Sequence, residues 1–122
     1  MVNASFCIPE TESLRTALAR LNQNEKKILF LTDEAEHLTA ALTDGDVRRY
    51  LLAGGTLEDS AANAGNRHPI AARSREEALR LLARHGCVAV PVLDGDACIT
   101  DIVLEGERQP EPLPALGVPV VI

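Results

Sequence analysis

The sequence predicts an α/β (α+β) fold in which two βαββα modules pack face to face as one pseudo-two-fold unit. Three observations lead to this prediction. The chain has 122 residues, which suits one domain or two very small ones acting together. A segment that begins at Ser13 recurs at Ser74. Each copy combines an amphipathic helix with two apolar strands, and one copy alone would be too small for a stable core.

The internal repeat is defined by apolar and acidic residues that return 61 positions later, with the shift dropping by about one at the following turn. A period near 60 is longer than the usual solenoid units and indicates two copies of a supersecondary module. The matched pairs are Ala17 with Ala78, Leu18 with Leu79, Leu21 with Leu82 and Asp33 with Asp94.

The first copy is predicted to contain a strand, a helix, two strands and a second helix. Apolar residues at helical spacing between Leu14 and Leu21 predict the first helix, with Thr11 as its N-cap. The second helix is expected to stop at Gly54-Gly55. The predicted elements lie at 6–8, 13–21, 27–33, 38–42 and 44–53, followed by a short helical piece at 57–64.

The second copy begins in the same order. Ser74 is the predicted N-cap of its helix, and Gly86 ends that helix. The sequence Asp94-Gly95-Asp96 predicts the turn of a hairpin. The predicted elements lie at 69–72, 74–85, 88–94 and 97–104.

These elements divide the chain into a first repeat at 1–64 and a second, incomplete repeat at 65–105. Residues 106–122 form a proline-rich linker and, from 116, the start of an apolar strand. We therefore expect the chain to be the front part of a longer protein.

Composition excludes several classes of function. The net charge of −6 and the scarcity of aromatic residues argue against binding to polymeric nucleic acid, which needs a basic face. Three cysteines without a C-x-x-C pair predict neither a disulfide framework nor a zinc site. No apolar run approaches the roughly 18 residues of a membrane span, and no signal peptide is recognisable, so a cytoplasmic location is expected.

The junction between the third strand and the second helix is the most informative stretch for function. The hydroxyl of Thr43 and backbone N–H groups at the helix start can bind phosphate or ribose oxygens. Asp46 can accept from a ribose diol, and Arg48 or Arg49 can pair with phosphate. The alternative is a purely structural one, because Thr43 followed by Asp46 is also close to a capping box.

No catalytic or metal-binding set emerges from the other polar residues. Asp44-Gly45-Asp46 lacks the partners of a phosphatase site. The turn at 94–96 lacks the ligand spacing of a calcium loop. The histidines are far apart and suggest no nucleophile–base pair. We therefore expect no catalytic residue and no metal ligand in this part of the chain.

The tandem repeat, with the sequence from Ala40 to Arg49 at its strand–helix junction, resembles a cystathionine-β-synthase (CBS) domain pair over about residues 1–105. The resemblance implies a regulatory module that takes a nucleotide of the AMP or ATP type, with no other cofactor, in a cleft between the copies. It implies that Thr43 meets phosphate or ribose, that Asp46 holds the ribose diol and that Arg48 pairs with phosphate. It also implies that the residues that line the base are Ile8, Ile70 and Ala71.

The sequence departs from the family pattern at two points. Ala40 stands where the family usually has glycine, and the second copy has no Thr-x-x-Asp at its junction. At most one of the two family clefts is therefore expected to be competent.

The ending at 116–122 resembles the entry to a sugar-phosphate nucleotidyltransferase, which implies a covalently attached catalytic domain. Two hypotheses follow for this chain. The first is a nucleotide-binding regulatory module for that enzyme. The second is a structural module that forms homodimers through its helices and binds no ligand.

Overall fold

Nearly continuous apolar runs build two antiparallel hairpins, one in each copy of the repeat. The computed structural model describes residues 6–24 and 26–105, so the linker and strand expected at 106–122 lie outside the described residues. No helix in the described part is long and apolar enough to cross a membrane. The elements, in chain order, are β1 (Cys7–Pro9), α1 (Leu14–Gln23), β2 (Ile28–Thr32), β3 (Leu38–Thr43), α2 (Asp44–Leu52), a 3₁₀ turn (Ala61–Asn63), α3 (Arg75–His85), β4 (Ala89–Leu93) and β5 (Ile99–Leu104).

The strands form two sheets. In the first, β2 lies between a parallel β1 and an antiparallel β3. The second consists of the antiparallel pair β4 and β5. The strand expected at 69–72 is wrong, because only Ala72 pairs with this sheet, through a single parallel bridge to Val92. Pro69 has no backbone N–H with which to extend that pairing.

The two hairpin turns have the same construction. A carboxylate oxygen of Asp33 accepts hydrogen bonds from the backbone N–H groups two and four residues further on, both at 2.9 Å. Asp94 does the same at 2.8 and 3.1 Å. Past the turns, Thr39 and Thr100 each donate a hydroxyl hydrogen bond to a carbonyl of the neighbouring strand. The 61-residue shift thus continues through the second strand, and the expected drop by one is wrong because both turns have the same length.

The first helix begins later than the sequence suggested. Ser13 is its N-cap and accepts a hydrogen bond from the backbone N–H three residues on at 3.2 Å, so the assignment of Thr11 is wrong. The backbone N–H of Leu14 donates to the carbonyl of Asp59 at 2.9 Å, which holds the chain extended up to Ser13. The predicted cap of α3 at Ser74 is confirmed.

The segment between the repeats is mostly non-helical. Of the helical piece expected at 57–64, only the 3₁₀ turn Ala61–Asn63 forms. The carbonyls of Leu57 and Asp59 accept from the first two backbone N–H groups of α1, at 3.0 and 2.9 Å. They are therefore unavailable for a continuous helix. The helix predicted at 44–53 is confirmed as α2.

Both faces of the first sheet are buried. One face packs against α1 and α2, with Leu29 and Leu31 in a cluster that includes Leu14 and Leu21. The opposite face packs against the second repeat. Its cluster draws on both copies and contains Phe6, Ile28, Phe30, Ala41, Ala89, Ile99 and Ile102. This shared core confirms the mixed α/β fold with two copies packed face to face, and α3 covers the outer side of the second sheet.

Candidate functional site

The strand–helix junction singled out in the sequence is a complete capping box. The hydroxyl oxygen of Thr43 accepts from the backbone N–H of Asp46 at 3.2 Å, and a carboxylate oxygen of Asp46 accepts from the backbone N–H of Thr43 at 3.0 Å. Two donors at the helix start are thereby satisfied within the chain. A ligand at this junction would therefore meet side chains in addition to whatever backbone groups remain accessible.

A cleft of about 640 Å³ opens beside this junction, and we call it the Thr43 cleft. This volume falls within the usual range for small-molecule sites, about 300–1,000 Å³. Its walls come from both repeats and from the segment between them. The residues that line it are Ile28, Phe30, Ala41, Thr43, Asp46, Arg49, Ala64, Gly65, Asn66, Pro69, Ile70, Cys87, Val88 and Ala89.

Asp46 and Arg49 are the charged residues among those lining the Thr43 cleft. The second carboxylate oxygen of Asp46 accepts a short hydrogen bond from the guanidinium of Arg49. The side chain of Asp46 is 14% exposed and that of Arg49 is 74% exposed. The acid is thus held in the wall, whereas the base extends from it into solvent.

The structure separates the two neighbouring arginines. Arg49 lines the Thr43 cleft, while Arg48 points elsewhere and pairs with Asp44 at 3.6 Å. Their spacing explains the difference, because residues three or four apart share a helix face. Arg49 is three residues after Asp46, and Arg48 is four after Asp44. That spacing is the sequence signal that could have favoured Arg49 over Arg48.

The remaining residues predicted to line the ligand are distributed differently. Ile70 lies in the wall of the Thr43 cleft, together with Thr43 and Asp46. Ile8 is buried and lines a second cavity of about 810 Å³ at the opposite end of β2. Ala71 is among the lining residues of neither cavity. The structure therefore brings three of the six predicted residues together.

Hydrogen bonds and burial shift the pKa values of two residues that line the second cavity. The pKa of Asp33 is lowered, first by the hydrogen bond from the backbone N–H of His37 and then by that residue's ring at 3.0 Å. Burial, with a contribution from Glu36, raises the pKa of Cys7 to about 11. The thiol of Cys7 is thus protonated at neutral pH and is a poor nucleophile. Within the described ranges, no group of three or more acidic, histidine or cysteine side chains could hold a metal ion.

The second repeat has no counterpart of Thr43. In the first sheet Thr43 pairs with Ile28, and in the second sheet Leu104 pairs with Ala89 at the equivalent position. A leucine side chain offers no hydroxyl to a ligand. The register therefore agrees with the absence of the motif from the second junction.

Ala40 affects the core and not the Thr43 cleft. Its side chain is completely buried in the cluster beneath α1 and α2, and it is not among the residues that line the cleft. The departure from the family pattern at this position therefore places a methyl group in the core and not in the wall of the cleft. Alternate residues of a strand face opposite sides of its sheet, so the methyl group of Ala40 and the side chain of Ala41 point in opposite directions.

Comparisons with known proteins place this geometry in context. No family model matches the chain. Arabinose 5-phosphate isomerase GutQ of Salmonella typhi is 27% identical over 94 residues, which cover 75% of this chain and 29% of that protein. The GutQ protein of Salmonella typhimurium matches to the same extent. The chain thus spans less than a third of the length of the curated relatives it matches.

Solved structures decide the fold. CBSX2 in complex with AMP superposes with a TM-score of 0.69 at 21% identity, covering 85% of this chain and 84% of that one. A CBS domain protein from Pyrobaculum aerophilum, complexed with AMP, gives a TM-score of 0.65 at 20% identity, covering 81% and 79%. The chain has the fold of a tandem CBS domain pair. Within this fold, the Thr43 cleft lies between the two repeats.

Proposed function

We propose that this CBS pair is a cytoplasmic regulatory module that binds an adenine nucleotide, or a similar phosphorylated nucleoside, in the Thr43 cleft. The observation that carries the proposal is the arrangement of that cleft. It combines an apolar slot, a hydroxyl, a carboxylate and a guanidinium within one cavity. The structures of CBSX2 and of the Pyrobaculum protein, both in complex with AMP, support this ligand class for the fold.

The apolar part of the cleft suits a planar base. Ile28 and Phe30 of the first repeat face Pro69 and Ile70, which enter the second repeat. Ile70 is 37% exposed, which is unusual among the large aliphatic side chains of the described residues. Covering it with a base would remove apolar area from water, which stabilises a complex by about 25 cal/mol per Å².

The polar part of the cleft suits a ribose phosphate. The hydroxyl of Thr43 accepts one hydrogen bond and, among the described residues, donates none, so its proton is available for a phosphate oxygen. Asp46 is an acceptor for ribose hydroxyls, and Arg49 supplies a positive charge. The three side chains are arranged along one edge of the cleft by the first turns of α2.

Regulation would follow from the position of the cleft between the repeats. Phe30 comes from the first copy and Val88 and Ala89 from the second, so a bound nucleotide would fix one copy against the other. Such a ligand can shift an attached enzyme only by its differential affinity for two arrangements of the module.

For the attached enzyme we propose a sugar-phosphate nucleotidyltransferase. The resemblance of residues 116–122 to the start of such a domain supports this, and the similarity to GutQ, a sugar-phosphate enzyme, is compatible with it. The test is to determine the full coding sequence and to assay the native protein for nucleotidyl transfer to sugar phosphates. Transfer that responds to AMP or ATP would support both parts of the proposal.

A structural role is the second candidate. Leu52, on α2, is 82% exposed, and a homodimer formed through the helices would cover this side chain. The capping box also gives Thr43 and Asp46 a sufficient structural reason to be present. Under this alternative the CBS pair would hold two catalytic domains together and bind no nucleotide.

Isothermal titration calorimetry with AMP, ADP and ATP distinguishes the two candidates. The test variant is Thr43→Ala, and the matched control is Ser74→Ala, which removes the N-cap of α3 away from the cleft. Each substitution should lower the free energy of unfolding by about 1 kcal/mol. Nucleotide binding that weakens only in Thr43→Ala supports a ligand site. No binding to the unaltered protein contradicts it and leaves the structural role.

A further inference from the structure

Both carboxylate oxygens of Asp46 are engaged by groups of the chain itself. One accepts from the backbone N–H of Thr43 at 3.0 Å, as part of the capping box that starts α2. The other accepts from the guanidinium of Arg49. Each oxygen can accept a second hydrogen bond, so a ribose hydroxyl that bonds to Asp46 either shares an oxygen with one of these donors or replaces that donor. The backbone donor is fixed by the helix, so Arg49 is the donor that can be exchanged.

The ion pair between Asp46 and Arg49 allows the guanidinium to leave Asp46 for another anion. The Arg49 side chain is 74% exposed and that of Asp46 is 14% exposed, so the guanidinium end of the pair is in solvent. Solvent screening and the entropy of a long side chain weaken an ion pair on its exposed side. Arginine carries five donors on a long side chain, so its guanidinium can leave one anion and bind another within its reach. Releasing it from Asp46 therefore costs little, provided that a second anion is present nearby.

The charges of the cleft favour a ligand with few phosphates. Its described lining carries one carboxylate and one guanidinium, which sum to zero, and the whole chain has a net charge of −6. Arg48, which would be the second cation, pairs with Asp44 instead. A single phosphate can be matched by Arg49, whereas each additional phosphate would meet no further cation among the lining residues and would be opposed by the net field.

We propose that Arg49 is an exchangeable counter-ion that makes the Thr43 cleft selective for nucleoside monophosphates. As the ribose hydroxyls of the ligand bond to Asp46, the guanidinium of Arg49 moves from Asp46 to the phosphate. A nucleoside without phosphate leaves Arg49 with no new partner, and a triphosphate carries charge that Arg49 alone cannot match. This inference rests on the proposed function, because it concerns the same cleft and the same ligand class.

The test compares the affinities of adenosine, AMP and ATP by calorimetry at one ionic strength. The unaltered protein should bind AMP about tenfold to a hundredfold more tightly than adenosine, the range of a charge-assisted hydrogen bond, and more tightly than ATP. In Arg49→Gln the ratio of AMP to adenosine affinity should fall to within about threefold of one. The adenosine affinity itself should be unchanged or higher, because Asp46 no longer has to release Arg49.

Arg48→Gln is the matched control, since it removes an arginine of similar exposure from the same helix but outside the cleft. It should retain the preference for AMP. An equal loss in both variants would overturn the inference, because it would indicate a general electrostatic effect. So would an unchanged ratio in Arg49→Gln. Thermal melts of both variants should match the unaltered protein within a few degrees, because each loses one ion pair made by a solvent-exposed arginine.

The experiment also separates this inference from the function on which it rests. If AMP and adenosine bind to the unaltered protein with equal affinity, the proposed exchange of Arg49 is contradicted, but the proposed nucleoside site is supported. If neither compound nor ATP binds, the proposed function is contradicted and the inference falls with it.

Discussion

The methyl group of Ala40 packs against the bare α-carbon of Gly65. A β-carbon added to Gly65 would lie 3.0 Å from the β-carbon of Ala40 and 3.1 Å from a methyl group of Leu31. Beside this contact, Ala41 and Asn66 exchange two backbone hydrogen bonds, of 3.0 and 2.7 Å. Backbone pairing therefore holds the segment between the repeats against β3, and the close approach favours a glycine at this position.

Gly65→Ala should destabilise the protein. The added methyl group has to displace Ala40 or Leu31, both completely buried, and overpacking of this kind costs about 1–3 kcal/mol. Urea denaturation measures the loss. Gly95→Ala is the control, because a β-carbon there meets nothing within 4 Å.

The double variant Ala40→Gly/Gly65→Ala tests the cause. Moving the methyl group from one side of the contact to the other should recover part of the loss, so the two substitutions should be non-additive by about 1 kcal/mol. Strictly additive effects would mean that the methyl group of Ala40 does not clash with the methyl group added at position 65.

The single tyrosine of the chain reports on a second local contact. The hydroxyl of Tyr50 donates to a carboxylate oxygen of Asp59 at 2.6 Å, and this hydrogen bond is the main reason that the pKa of Tyr50 is raised. Because the chain has no tryptophan, ultraviolet absorbance follows this one phenol during a pH titration. We expect a pKa above the usual value of about 10.

In Asp59→Asn the pKa of Tyr50 should return towards its usual value, because the negative acceptor is gone. Asp44→Asn removes an acid of the same helix that pairs with Arg48, and it should leave the titration unchanged. The raised pKa also has a consequence for stability. The contribution of this contact is complete between the unfolded pKa values of Asp59 and Tyr50, about 3.9 and about 10, and is lost as the pH rises through the folded pKa of Tyr50 or falls through that of Asp59. Equal titration curves for all three proteins would contradict the assignment.

The acid side of the stability profile depends on Asp33. Its pKa is lowered by hydrogen bonds from the backbone and ring of His37. The contribution of a group with a lowered pKa is present above the unfolded value of about 3.9 and is lost as the pH falls through the folded value. Asp33→Asn should therefore lower the melting temperature by a few degrees at pH 7, and the difference should shrink as the pH falls below 4.

Melting temperatures at pH 7, 5 and 3 provide the measurement. Glu34→Gln is the control, since Glu34 lies in the same turn and has no ion pair with another described residue. A difference between Asp33→Asn and the unaltered protein that is as large at pH 3 as at pH 7 would show that the carboxylate charge is not the cause.

Much of the fold could be predicted from local patterns. Three patterns predicted the elements: helical spacing of apolar residues, serine and glycine at helix ends, and the recurrence after 61 residues. Tertiary contacts reinforce the local preferences behind them. The failures occurred where tertiary contacts compete with local signals. Thr11 is a good cap by type, but the hydrogen bond between Leu14 and Asp59 fixes the chain so that Ser13 takes that role.

The candidate site shows the same division. The capping box of Thr43 and Asp46 follows from a spacing of three residues, and the sequence contained it. The orientation of Ala40 required knowledge of which face of β3 meets α1 and α2. The choice between Arg48 and Arg49 required the pairing of each with an acid one turn earlier. The orientation of Ala40 depends on three-dimensional neighbours that a single sequence does not specify, whereas the spacing of Arg49 from Asp46 is present in the sequence.

Cys87 offers a direct footprint of the proposed nucleotide. Its side chain lines the Thr43 cleft, and burial raises its pKa, so alkylation with iodoacetamide is best followed near pH 9. AMP at ten times its Kd should slow alkylation of Cys87 about tenfold, because only the unliganded fraction reacts. Cys98 lies on the hairpin turn of the second repeat, outside the cleft, and should react at the same rate with and without AMP. Mass spectrometry of the digested protein measures both rates, and protection of both cysteines, or of neither, would contradict binding in the Thr43 cleft.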